Sequence, residues 1–151
     1  MAIKKIILVL GLLLLTSCVS REPAELNLHS DECAYCIMVV SDDQFASQLV
    51  TSKGKSYMFD SVECLAAYSM KNPDQIQNGN LYVSDYQNPG NWLSIKNADF
   101  YVSEDIKSPM GLSLFAIQKS EDPANFANEY EELSWAQVQE LVKEKWNDKL
   151  H

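Results

Sequence analysis

Two thiols and a thioether lie within six residues of this chain, in the sequence C-A-Y-C-I-M from Cys33 to Met38. The whole chain has four cysteines and two histidines, so half of its thiols lie in this short stretch. Three chemistries use such a group: a redox dithiol, one half of a zinc site, or a binding site for a softer metal ion.

Redox and zinc chemistry each require more than a Cys-x-x-Cys spacing. A redox dithiol lies at the start of a helix, whereas the residues after Cys36 are apolar and mostly β-branched, which favours a strand. A structural zinc ion needs four nitrogen or sulfur ligands. The available set is Cys33, Cys36 and Cys64 with His29 or His151. A third account is a disulfide between Cys33 and Cys36, which closes a very short loop and stabilises only modestly.

The soft-metal interpretation uses the methionines. In an extended strand, residues two apart point to the same face, so the Cys36 thiolate and the Met38 thioether would converge. Met110 lies in a tight turn between a proline and a glycine, an unusual place for a core-filling side chain. Thiolate with thioether is a donor set that favours Cu(I) over zinc, calcium or magnesium. We assign Met58 and Met70 to ordinary core packing.

The first 18 residues have the pattern of an export signal. Lys4 and Lys5 precede an apolar run over 6–15, which is too short for a membrane span of about 20 residues. The run ends in L-T-S-C, which resembles the bacterial lipobox, so we expect lipidation of Cys18 and a position in the cell envelope facing the periplasm. Val19 after the anchor favours the outer membrane.

Cleavage at that site changes both the charge and the number of thiols. It removes two lysines and no acid, so the formal net charge falls from −9 to −11. An acidic body disfavours nucleic acid and anionic lipid as partners, which leaves membrane attachment to the acyl chains. An odd number of cysteines, Cys33, Cys36 and Cys64, remains in the exported chain, so at most one internal disulfide can form.

Apolar patterning and turn residues predict an α+β fold. The predicted strands are 37–40, 45–51, 56–59, 81–86, 99–103 and 112–117. A helix is predicted after Asp60, which has the spacing of a capping box with Glu63. A short helix at Asp122-Pro123 and a final helix opened by Ser134 complete the predicted elements.

The sequence motifs also match a known family in order along the chain. They are the lipobox ending at Cys18, Y-C-I-M at Tyr35–Met38, F-D-S-V-E-C-L at Phe59–Leu65, S-P-M-G-L at Ser108–Leu112, and a late Trp135. With these motifs the chain resembles the NosL family, lipoproteins that act as copper chaperones for nitrous oxide reductase.

The resemblance implies a two-module fold, also likened to organomercurial lyase, and the binding of one Cu(I) ion. The ion would pass to the membrane complex that helps to build the copper-sulfide cluster of the reductase. Carried over by motif, the metal ligands would be Cys36 and Met110, with Met38 close by. Many relatives have histidine at the position of Ala34 and glycine at that of Ile37. Cys33 and His29 are therefore the alternatives for a third ligand.

These observations define the expected organisation of the chain. The expected segments are a signal peptide over 1–17, a polar tether over 18–31, and a copper-binding domain over 32–151 with modules of about 32–78 and 79–151. The sequence contains no acid–base pair, activated nucleophile or phosphate-binding loop, so we do not expect an enzyme.

Overall fold

A computed structural model describes residues 20–147. The predicted signal peptide, Cys18 and His151 lie outside the described residues. Between residues 20 and 147, none of the helices is both long enough and apolar enough to cross a membrane.

The described chain folds into two antiparallel sheets and three α-helices, which confirms the predicted α+β class. In chain order the elements are β1 (Ser47–Val50), β2 (Ser56–Phe59), α1 (Val62–Lys71), α2 (Pro73–Ile76), β3 (Asn80–Ser84), β4 (Trp92–Ser94), β5 (Ala98–Val102), β6 (Leu114–Gln118), a 3-10 turn (Pro123–Asn125), β7 (Glu131–Leu133) and α3 (Trp135–Lys145).

The first sheet has the strand order β2-β1-β3-β4. All four residues of the central strand β1 are buried, and Leu49 pairs with Tyr57 on one side and Leu81 on the other. The expected module boundary near residue 78 does not separate the two sheets, because β3 hydrogen-bonds to β1 and carries β4 into the same sheet.

The second sheet has the order β6-β5-β7, and its edge strand β6 is covered on both faces. Leu114 and Ala116 belong to the main hydrophobic core, whereas Phe115 and Ile117 belong to a smaller core with Tyr101. Because side chains alternate along a strand, β6 separates the two cores.

Helix α1 lies inside the main core. It is buried from Val62 to Ser69, and it packs against β1, β6 and α3. Helix α3 is buried only at Val138 and Val142, so it covers one side of the core. Small and medium side chains such as Ala66 allow α1 to be surrounded by other elements on most sides.

Helix α1 begins one residue later than predicted. Ser61, and not Asp60, is the N-cap, and its hydroxyl oxygen accepts a 3.3 Å hydrogen bond from the Cys64 amide. Glu63 takes no part in a capping box. It is fully buried and accepts a hydrogen bond from the Ser108 hydroxyl, a partner distant in sequence. The short strands β4 and β7 and the short helix α2 were not predicted.

Residues 20–31, assigned from the sequence to the tether, lie against the first sheet. The side-chain amide of Gln48, which is fully buried, exchanges two hydrogen bonds of 2.9 and 3.1 Å with the backbone of Ala24. The Tyr82 hydroxyl donates to the carbonyl of Arg21 at 2.9 Å. The segment therefore crosses strands β3 and β1 before it reaches Cys33.

The predicted N-terminus of the last helix is confirmed, and it supplies a test of fold stability. Ser134 and Gln137 form a reciprocal capping box at α3. We expect Ser134→Ala to lower the free energy of unfolding by about 1 kcal/mol, because the first turn loses its acceptor. Chemical denaturation measures the change.

Ser134→Asp is the matched control, since its carboxylate restores an acceptor and its charge suits a helix N-terminus. Its stability should stay close to that of the wild type. Equal stability of Ser134→Ala and the wild type would contradict this role of the capping box.

Candidate metal centre

The loop that carries the Cys-x-x-Cys sequence is closed by its own backbone. The Cys33 amide donates to the Met38 carbonyl at 2.8 Å, and the Ile37 amide donates to the Cys33 carbonyl at 2.9 Å. An isolated bridge between Glu32 and Val39 continues the pairing. The loop is a tight turn between two short extended arms.

The predicted strand over 37–40 is therefore wrong. Ile37 has φ +65°, a left-handed conformation that costs a β-branched residue on the order of 1–3 kcal/mol. The strand rule that placed Cys36 and Met38 on one face does not apply across such a residue. Glycine adopts this conformation without strain.

The loop and helix α1 bring three thiols together. The sulfur atoms of Cys33, Cys36 and Cys64 all lie within 4.8 Å of one another, and none of the three is in a disulfide. Cys64 entered the sequence argument only in the zinc alternative and not among the ligands carried over by motif. No histidine or carboxylate among residues 20–147 joins this cluster, so the four-ligand set with His29 is not assembled.

Cys33 is the best-stabilised anion of the three. The hydrogen bond from the Cys64 thiol lowers the pKa of Cys33 from its ordinary value of 9.0 to about 5, and backbone amides of Cys36, Asp60 and Tyr35 act in the same direction against the effect of burial. The Cys36 amide lies 3.5 Å from the Cys33 sulfur. Cys33 is therefore a thiolate at neutral pH although it has no exposed surface.

The other two thiols are held in the neutral form. The pKa of Cys64 is raised, first because its thiol donates to Cys33 and then because it is buried. The pKa of Cys36 is raised mainly by burial, although Cys36 remains partly exposed. The metal-free cluster is thus one thiolate with two thiols beside it, and a metal ion that binds all three displaces protons.

Two buried acids, Asp60 and Glu63, precede Cys64 in sequence. Asp60 is 1 % exposed, and neither carboxylate oxygen makes a hydrogen bond of ordinary geometry. Burial and then the charge of Cys33 raise the pKa of Asp60, while the Ser41 backbone opposes the rise. The pKa of Glu63 is also raised by burial, against its hydrogen bond from Ser108.

The same serine organises the turn that carries Met110. The Ser108 hydroxyl oxygen accepts from the Ser113 amide at 2.9 Å, and the Ser108 carbonyl accepts from the Gly111 amide at 3.1 Å. Because Ser108 also bonds to Glu63, the Met110 turn is attached to the first turn of α1. Met110 is half-buried and packs against the main core.

An aromatic pair joins the Cys-x-x-Cys loop to the end of α3. The ring of Tyr35 stacks on that of Trp146, with centroids 6.0 Å apart and an interplanar angle of 12°. The pKa of Tyr35 is raised by burial and then by the charges of Cys64, Cys33 and Cys36. Trp146, which follows α3, is 4 % exposed.

Fold and site together define a class: a small α+β protein in which a strained loop and a buried helix present three free thiols, a donor set for soft metal ions. The NosL family profile matches residues 23–145, which is most of the chain. The chain therefore belongs to the NosL family.

A solved relative has the same fold. The crystal structure of the copper chaperone NosL from Shewanella denitrificans superposes with a TM-score of 0.63 at 18% sequence identity, over 78% of this chain and 96% of that one. A sequence search of curated proteins gives no match.

The pKa of Cys33 predicts how the stability of the metal-free protein depends on pH. The unfolded chain binds a proton at Cys33 below pH 9.0, whereas the folded chain binds it only below about 5. Folding stability linked to Cys33 is therefore full above pH 9.0, falls as the pH decreases, and is lost below about 5. Denaturation of reduced protein across this window should show that slope.

Cys33→Ser is the control, because it removes the thiolate and should flatten the same stability profile. Thiolate absorbance should also titrate near pH 5 in the wild type and not in the variant. A wild-type thiolate that appears only near pH 9 would contradict the hydrogen-bonded thiolate.

Proposed function

We propose that this protein is a copper chaperone that binds one Cu(I) ion and passes it on without catalysing a reaction. The observation that carries the proposal is the convergence of three free thiols with one of them, Cys36, reaching the surface. Three sulfur ligands without a fourth nitrogen or oxygen donor suit Cu(I) better than structural zinc, which takes a closed tetrahedron. Family membership supports the same assignment.

Cys36 is the central ligand in this proposal. Cys33 is a second thiolate ligand, and Met38 and Met110 supply thioethers during uptake or release. A chaperone has to release its cargo, so a low coordination number and one accessible edge favour ligand exchange with an acceptor. Met38, two residues after Cys36 in the chain, is 51 % exposed.

The proposed destination is the copper centre of nitrous oxide reductase, reached through a membrane maturation complex. The proposal follows the family assignment and the lipobox motif ending at Cys18. Lipid attachment at Cys18 would hold the chaperone at the membrane, facing the periplasm. The acidic surface would favour a basic docking face on the partner.

Copper binding is tested by titrating reduced protein with Cu(I) against a competing chelator. We expect one tightly bound equivalent in the wild type and its loss in Cys36→Ser, because this substitution removes the accessible thiolate. Met70→Leu, a methionine packed against the core, should bind like the wild type.

Unchanged affinity in Cys36→Ser would overturn the assignment. So would stoichiometric zinc in protein purified from cells, if its removal by a chelator unfolded the chain. An oxidised Cys33–Cys36 pair that takes up no metal would favour an interaction module or a thiol redox protein instead.

Membrane attachment is tested separately in the native host. Cys18→Ser should move the protein from the membrane fraction to the soluble periplasmic fraction or leave its signal uncleaved, because it removes the site of acylation. Labelling with a radioactive fatty acid measures lipidation directly. Incorporation of label into the Cys18→Ser protein would contradict the lipobox assignment.

A further inference from the structure

The sulfur atoms of the metal centre form a series from the interior to the surface. Cys33 and Cys64 are each 0 % exposed, Cys36 is half-buried, and Met38 two residues later is 51 % exposed. An ion that reaches the buried thiols therefore enters and leaves past Cys36.

Cys64 lies on a rigid part of the fold. It lies in the first turn of α1, and its amide donates to the Ser61 cap. The Ser47 hydroxyl in turn donates to the Ser61 carbonyl at 2.8 Å, which ties the start of the helix to β1. A thiol on this rigid support cannot follow an ion toward the surface.

The spacing of the three thiols matches a trigonal site. Three sulfurs at metal–sulfur distances of about 2.3 Å lie about 4.0 Å apart in a trigonal plane. The observed sulfurs all lie within 4.8 Å of one another, so small side-chain rotations close the site.

The Cys-x-x-Cys loop exposes Met38, the outer end of this series of sulfur residues, to solvent. Ile37, Met38 and Val39 are 68 %, 51 % and 44 % exposed, and they are three of the four large apolar side chains most exposed among residues 20–147. The left-handed Ile37 turns the chain between Cys36 and Met38, and the hydrogen bonds of Cys33 hold this turn closed. The strained backbone at Ile37 therefore lies where the site opens to solvent.

We propose that the ion occupies two positions that share Cys36. In the resting position, it is bound by the thiolates of Cys33, Cys36 and Cys64. In the release position, it is bound by Cys36 and the Met38 thioether. This inference rests on the proposed function and adds Cys64 as the ligand that retains the cargo.

The exchange between the positions balances in charge and leaves the oxidation state unchanged. A copper–sulfur bond to Met38 forms as the bonds to Cys33 and Cys64 break, and the copper remains Cu(I). Cys33 is left as a free thiolate, and the released Cys64 thiolate takes a proton from water, which leaves a hydroxide ion in solution. A thiolate of the acceptor then displaces the Met38 thioether from the copper before the copper–Cys36 bond breaks.

The resting position is tested by counting sulfur ligands. In a Cys18→Ser background, X-ray absorption at the copper edge of the Met38→Leu/Met110→Leu double variant should show three sulfur neighbours. Cys33, Cys36 and Cys64 are then the sulfur donors left at the centre. Two neighbours would overturn the three-thiolate position, and this result needs no cysteine substitution within the cluster.

The role of Cys64 is tested by affinity. Cys64→Ser should weaken Cu(I) binding by about 100-fold or more, beyond the roughly 10–100-fold typical of losing a contact that only supports a ligand. Circular dichroism of the metal-free variant checks its fold, and Cys64→Ala replaces it if the serine variant is unfolded. Unchanged affinity in a folded variant overturns the inference and leaves the proposed function standing.

The release position is tested by the rate of copper transfer to excess chelator. Met38→Leu should release copper severalfold more slowly than the wild type, because its thioether no longer assists the exchange. Met70→Leu is the matched control and should release at the wild-type rate. An unchanged rate in Met38→Leu overturns the release position, whereas a wild type that binds no Cu(I) overturns the proposed function itself.

Discussion

The Cys33 sulfur is the point at which three distant parts of the chain meet. Backbone amides of Cys36 from its own loop and of Asp60 from the end of β2 approach it, and the Cys64 thiol reaches it from helix α1. These donors stabilise a negative charge in a place with no exposed surface. The loop, the end of β2 and helix α1 therefore converge on one buried sulfur atom.

Several features near the Cys33 sulfur destabilise the folded state. Ile37 adopts a left-handed conformation, and the Asp60 carboxylate is buried without an ordinary hydrogen bond. Such features cost free energy and persist only where the surrounding packing over-determines them. Helix α1 supplies that packing, because it is buried along most of its length between the first sheet, β6 and α3.

Ser108 connects the Met110 turn, which precedes strand β6 of the second sheet, to helix α1. Its hydroxyl donates to Glu63 while its carbonyl and hydroxyl oxygens organise the Met110 turn. A buried carboxylate that accepts such a bond is costly to leave unpaired, so the turn and helix α1 are coupled. The Met110 turn and the start of helix α1 are thereby joined, although they are distant in sequence.

Local sequence determined the elements whose stabilising contacts are near in the chain. The strands at β1, β2, β3, β5 and β6 follow alternating or continuous apolar patterns, and the Ser134 capping box needs only residues within one turn. The α+β class and the NosL family assignment were both predicted from such patterns and motifs, and both are confirmed. Neither required knowledge of which side chains meet in space.

Tertiary structure alone decided the three-thiol cluster. Cys64 joins Cys33 and Cys36 because α1 packs against the loop, and no spacing along the chain encodes that approach. Ile37 leaves the strand that its β-branched side chain favours, because the hydrogen bonds of Cys33 close the turn around it. Local propensity differs by less free energy between conformations than such hydrogen bonds and packing contacts supply, so the contacts prevail.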